Sequence, residues 1–184
     1  MRGDLRNCWA EIKSDYKFLR GQDPILKNII SAYILNPGFK AAFLLRLQIF
    51  VYDLGWHRFS QLISNCNLRT TGAEFCIGLR VGSSLIIRHP SGIVVGGGVI
   101  IGNYCTILQG VTLGRVDLEI NSSSEYPRLG SHVILSAHSA VLGNVTMVNE
   151  TILGAHSILL NSALKKGTYV GIPAKLVKDL GFYE

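Results

Sequence analysis

A hydrophobic period of six limits what this chain can fold into more than any other feature. Stepping six residues from Ile77 meets Ser83, His89, Val95, Ile101, Ile107 and Leu113, five of the seven positions being apolar. Four residues beyond each start lie Val81, Ile87, Ile93, Val99, Cys105 and Val111, all apolar or small. The step resumes at Leu129 and runs through Leu135, Val141, Met147, Leu153 and Leu159, with Val133, Ser139, Val145, Thr151, Ser157 and Ala163 at the second position. A helix repeats every 3.6 residues and a half-buried strand every 2. Six fits neither, but it fits short strands joined by tight turns into stacked coils, a parallel β-helix. Glycine recurs after the large aliphatic at Gly78, Gly96, Gly102, Gly114, Gly130 and Gly154, where a turn needs an unhindered backbone.

The period sets the organisation expected of the rest. Residues 1–70 read as a helical segment, with Asp4 as an N-cap, Asp23-Pro24 opening a second helix and Asn36-Pro37-Gly38 a third. Residues 71–184 read as the β-helix, interrupted by an extruded polar loop at 115–128 and closed by a C-terminal cap around "GIPAKLV". The longest early apolar run is broken by Arg46 and Gln48, so no membrane insertion is expected. No signal peptide is visible, which predicts a cytoplasmic protein. Cys8, Cys66, Cys76 and Cys105 lack CxxC spacing and read as reduced thiols, with no metal expected. The net charge of +6 suits an anionic partner, yet no basic helix or aromatic-basic interleaving points to nucleic acid.

His89 falls where the repeat asks for an aliphatic, beside Pro90 and Gly92, which predicts an imidazole at a coil edge. Acyl transfer from a thioester to an alcohol needs a base within hydrogen-bond reach of the hydroxyl, and histidine suits that task near neutral pH. Glu74 lies fifteen residues earlier, three short of an eighteen-residue coil, so the spacing places it close to the histidine on the adjacent coil. A carboxylate there fixes the ring's tautomer and stabilises the imidazolium.

The stretch "RHPSGIVVGGGVIIGNYCTILQGVTLG", followed by "VLGNVT", "ILGAHSILL" and "GIPAKLV", resembles the serine acetyltransferases, members of the left-handed β-helix, hexapeptide-repeat acyltransferases. The resemblance runs over residues 20 to 178 and supplies the handedness, which the period alone does not. It implies a mainly β fold, acetyl-CoA as co-substrate, no metal, and a homotrimer with active sites between subunits. His89 then acts as general base, with Glu74 in the place of the family's catalytic aspartate. The resemblance further implies a pantetheine arm along Gly114, Ala137 and Ala155, with Lys165, Lys166 and Lys175 available to the nucleotide phosphates.

The acceptor side departs from the pattern. Asp23 matches a substrate-contacting aspartate, but Arg88 stands where the family has an aspartate before its histidine, and Glu125-Tyr126 replaces an Arg-His pair. Two reversed charges turn attraction for an amino acid's ionic groups into repulsion. The expectation drawn from them is an O-acetyltransferase acting on a sugar in capsular or other surface polysaccharide synthesis, resembling the short polysaccharide O-acetyltransferases. Serine O-acetylation in cysteine biosynthesis is the alternative. A metalloprotein like the gamma-class carbonic anhydrases, using His132, His138 and His156, and a non-catalytic solenoid are the remaining readings.

Overall fold

The computed structural model describes residues 4–116 and 126–179. Four helices come first: α1 (Leu5–Arg20), α2 (Leu26–Leu35), α3 (Pro37–Asp53) and α4 (His57–Thr71). Asp4 caps α1 by accepting from the Arg6 N–H, and Asn36 caps α3 by accepting from the Phe39 N–H, with Pro37 at a position that needs no amide donor. The second helix begins later than its Asp-Pro signal, at Leu26, after an Ile25 that offers no capping side chain. The fourth helix carries a polar-rich sequence with no clear start signal, since Trp56 precedes it without a cap bond. Among the described residues no single helix is long and apolar enough to cross a membrane.

The coils follow. The first holds β1 (Glu74–Phe75), β2 (Arg80–Val81) and β3 (Ile86–Ile87); the second holds β4 (Val94–Val95), β5 (Ile100–Ile101) and β6 (Thr106–Ile107). The third holds β7 (Thr112–Gly114), β8 (Arg128–Leu129) and β9 (Ile134–Leu135), and the fourth β10 (Ala140–Leu142), β11 (Thr146–Met147) and β12 (Thr151–Leu153). The stack ends with β13 (Ile158–Leu159) and the antiparallel pair β14 (Gly167–Gly171) and β15 (Ala174–Asp179).

Up to β13 every third strand stacks in parallel, giving three faces: sheet A is β1-β4-β7-β10-β13, sheet B is β2-β5-β8-β11, and sheet C is β3-β6-β9-β12, extended by β14 parallel to β12 and β15 antiparallel to β14. The chain therefore turns three corners per coil, and a triangular prism results. Inside it, like sits on like: Phe75, Val95, Leu113, Val141 and Leu159 form one column, and Ile87, Ile107, Leu135, Leu153 and Tyr169 another. Each fully buried aliphatic contributes about 1.5–3 kcal/mol. The column carries stability, and the corners are left to carry function.

Coil length is not constant, and this corrects the phase read from the sequence. Val141 pairs with Leu159, a coil of 18 residues, but Phe75 pairs with Val95, a coil of 20. The two additional residues lie in the corner between Ile87 and Val94. Before that corner the inward positions are Phe75, Val81 and Ile87, so Ser83 and His89 are not core positions that happen to be polar. They are corner residues, and counting back in sixes across the longer corner misassigned them.

The helices close the N-terminal end of the prism. Ala41, Ala42 and Leu45 of α3 join the core above Phe75, Leu79, Leu85 and Ile87. The first coil has no coil before it, so its outward-facing backbone groups need other partners. Gln48 Nε2 and Ser64 Oγ both donate to the Phe75 carbonyl, at 2.8 and 2.7 Å. Arg46 donates to the Val81 and Gly82 carbonyls, and Asp15 accepts from the Leu85 N–H at 2.7 Å. Arg46 and Asp15 also form a buried two-armed ion pair, both contacts at 2.9 Å. Burial opposes the Arg46 charge, but the Asp15 carboxylate and its hydrogen bonds outweigh that and push the guanidinium pKa upward.

Candidate active site

His89 sits in the widened corner where sheet C turns into sheet A. Its backbone is left-handed at φ 54°, its side chain is exposed, and Pro90 behind it is buried. Left-handed backbone recurs at other non-glycine corners, among them His132, His138 and His156, so the conformation belongs to the fold and is no mark of catalysis by itself. What distinguishes His89 is its setting. A cleft of about 210 Å³ opens beside it, walled by Leu19, Leu35, Asn36, Pro37 and Gly38 from the helices and by Ile87, Arg88 and Pro90 from the coil. Gly38 makes this possible, because a Cβ there would collide with the Ile87 carbonyl oxygen. The helical segment thus supplies one wall of the cleft, a role the period of six could not reveal.

The same corner continues along the prism as a backbone ladder. Gly92 N–H donates to the Gly72 carbonyl, Gly110 to Ser91, His138 to Gln109 and His156 to Ala137, all between 2.8 and 3.0 Å. Ala137 and Ala155 are therefore stacked on the edge that carries His89, as are His138 and His156, whose rings lie 5.1 Å apart and nearly parallel. Gln109, which sequence reasoning passed over, lies on this edge with a buried Oε1 that has no hydrogen-bond partner. Lys175 stands at the far end of the same edge, opposite Val170 in the terminal hairpin.

Glu74 is half-buried on the outer face of sheet A, paired with Val94. The 20-residue coil puts His89 five positions short of that partner rather than three. Among the described residues no ion pair joins Glu74 to His89. Gly72, two residues before Glu74, lies against Ser91, two residues after His89, with an added Cβ 3.3 Å from the Ser91 Cα. Glu74 also borders Cys76, whose thiol is pushed up by burial and then by that carboxylate. Cys105 is buried inside the coil and its pKa is likewise raised by burial, so neither thiol is a ready nucleophile.

The other residues singled out from the sequence lie elsewhere. Gly114 ends β7 at the corner between sheets A and B, where the polar loop leaves. Tyr126 packs at that corner against Gly96 and Gly98, either of which would clash with its ring if it carried a Cβ, and the Arg115 guanidinium sits 5.4 Å above the ring. Glu125 lies outside the described residues. Lys165 and Lys166 occupy the third corner, between sheets B and C, where Lys166 faces Glu150 at 3.6 Å. Asp23, exposed between α1 and α2, pairs with Lys17 at 2.8 Å. His132 stacks on Tyr104 at the corner between sheets B and C, so the three histidines of the metal reading are divided between two edges.

The triangular parallel β-helix of six-residue repeats, together with the relatives it matches, defines the class: the left-handed β-helix acyltransferases of the hexapeptide-repeat type. Comparison with known proteins narrows it. The chain belongs to the serine acetyltransferase family. It is 31% identical over 170 residues to the serine acetyltransferase of Synechococcus elongatus, covering 92% of this chain and 69% of the relative. It is 34% identical to that of Staphylococcus xylosus, covering 92% and 78%. The crystal structure of Neisseria gonorrhoeae serine acetyltransferase superimposes with a TM-score of 0.85 at 26% identity, over 96% of this chain and 67% of that one. The same enzyme in complex with serine gives 0.82 at 26%, over 92% and 69%. A serine acetyltransferase in complex with CoA gives 0.82 at 25%, over 94% and 71%. No family model matches the chain.

These relatives overturn the sugar acceptor and the role in polysaccharide synthesis expected from the sequence. The charge reversals at Arg88 and Glu125 are two point differences in the sequence. The likeness to serine acetyltransferases covers 92% of the chain in sequence and 96% in structure, and it outweighs them.

Proposed function

We propose that this protein is a serine O-acetyltransferase that moves the acetyl group of acetyl-CoA onto the hydroxyl of L-serine. The observation that carries the reading is the coincidence of family membership across 92% of the chain with an exposed histidine beside a small cleft. His89 accepts the proton of the serine hydroxyl as that oxygen attacks the thioester carbonyl. The C–S bond then breaks, and the imidazolium returns its proton to the CoA thiolate. An imidazole can both take up and return a proton, as the two transfers require. Glu74 is a positioning residue in this scheme, a carboxylate that orients the imidazole.

The acetyl-CoA arm follows the His89 edge past Ala137 and Ala155, whose small side chains let a ligand approach the backbone, and runs towards Lys175. Gly114 and Tyr126 lie on another edge of the same chain, separated from His89 by the width of sheet A, about five residues of extended chain or roughly 16 Å. Lys165 and Lys166 lie on the third. Gly114 and Tyr126 do not reach the His89 edge within one chain. A neighbouring subunit that sets its sheet A–B corner against this chain's His89 corner brings them there, which supports a homotrimer with active sites between subunits; Lys165 and Lys166 stay outside that contact.

The test is CoA release in the presence of L-serine. His89→Ala should lower kcat by about 10²–10⁴-fold while leaving acetyl-CoA binding in place. Glu74→Gln should lower kcat less than His89→Ala does. Full turnover by the His89 variant would refute the reading.

A further inference from the structure

Arg88 immediately precedes His89 in the widened corner, and both line the same cleft. The Arg88 side chain is exposed and, among the described residues, makes no hydrogen bond or ion pair. Among the described residues it is the one cation that lines the cleft. No carboxylate lines the cleft, whose remaining walls are Leu19, Leu35, Asn36, Pro37, Gly38, Ile87 and Pro90. The first turn of α3 enters the same wall and adds the positive end of a helix dipole. Beside mostly apolar walls a guanidinium acts over a weaker dielectric than in open water, so its preference for an anion is strengthened.

We propose that Arg88 holds the carboxylate of the acceptor amino acid and thereby sets the acceptor's hydroxyl against His89. This rests on the serine O-acetyltransferase reading and names the group that selects the acceptor. Serine carries its carboxylate and its hydroxyl on adjacent carbons, so a cation and a base must be presented from neighbouring positions. In a regular strand consecutive side chains point to opposite faces. The left-handed turn at residue 89 breaks that alternation, and residues 88 and 89 share one cleft. The planar fork of arginine matches a carboxylate in two hydrogen bonds, which fixes orientation as well as affinity.

The experiment compares L-serine with L-serinamide, which keeps the hydroxyl and the amine but lacks the carboxylate, on purified full-length wild type, Arg88→Gln and Arg88→Lys. Wild type should prefer serine. Arg88→Gln should raise the KM for serine about tenfold and lower kcat as the hydroxyl loses its fixed orientation, and the serine-to-serinamide preference should collapse towards unity. Arg88→Lys should recover part of the preference, as a point charge without the fork. An unchanged KM for serine, or a preference preserved in Arg88→Gln, overturns the assignment while leaving serine acetylation standing. Wild type that turns over neither acceptor overturns the functional reading and this assignment with it.

Discussion

Replacing Arg46 by leucine should destabilise the protein by about 4 kcal/mol, because it leaves a charge buried without its partner. Arg46 donates two hydrogen bonds to Asp15 and one each to the Val81 and Gly82 carbonyls. Asp15 is 1% exposed, and without Arg46 only the Leu85 N–H remains bonded to it. Removing one member of a buried pair typically costs 3–5 kcal/mol, most of it the penalty on the charge left behind. The double variant Asp15→Leu/Arg46→Leu removes that charge. It still orphans two carbonyls and one N–H, at roughly 1 kcal/mol each, so it should lose about 2–3 kcal/mol and be more stable than the single Arg46→Leu. Urea midpoints followed by far-ultraviolet circular dichroism, at one fixed protein concentration, provide the measurement. A single variant within 1 kcal/mol of wild type, or a double variant losing the sum of the two singles, would refute the account of the pair as a closure for the first coil.

Two further outcomes are expected. Gly38→Ala should destabilise by about 1–3 kcal/mol and reduce turnover, since the added methyl collides with the Ile87 carbonyl and pushes the wall of the cleft away from His89; thermal melts and kinetics on that variant check both effects, and a neutral result in both would contradict the close approach of α3. Burial pushes the Glu11 carboxyl above its ordinary value of 4.5, with Arg46 pulling it back and Asp15 pushing it further. A carboxyl raised by folding contributes stability below 4.5 that is lost as pH rises through the folded value. Glu11→Gln lacks that loss, so its Tm should gain on wild type between about pH 4 and about pH 7. A constant Tm difference across that range would show that Glu11 is not held in an unfavourable site.

The stacked columns were legible because a solenoid repeats one environment, and each inward position announces itself many times. Asn36-Pro37-Gly38 was legible as a helix start because capping is local chemistry. The widened corner at residues 88–93 was not, since a two-residue insertion leaves no trace except misfits, and His89 and Ser83 had to be read as exceptions to a phase they never shared. The edges occupied by Gly114, Tyr126, Lys165 and Lys166 follow only from strand pairing, which a six-residue count does not supply. The nature of the acceptor was misread for a related reason. Arg88 and Glu125 were weighed as lost contacts for serine, whereas an exposed arginine beside the base equally offers a new contact for its carboxylate.

The polar side chains that meet the first coil also decide what the prism cannot do. A bare terminal coil is a template on which another such coil could dock, strand on strand, and repetition of that step builds a fibril. Gln48, Ser64, Arg46 and Asp15 occupy those docking points with bonds no incoming strand can displace without leaving buried polar groups unmet. The helices therefore terminate growth, and a chain trimmed of them should precipitate rather than persist as a shorter enzyme.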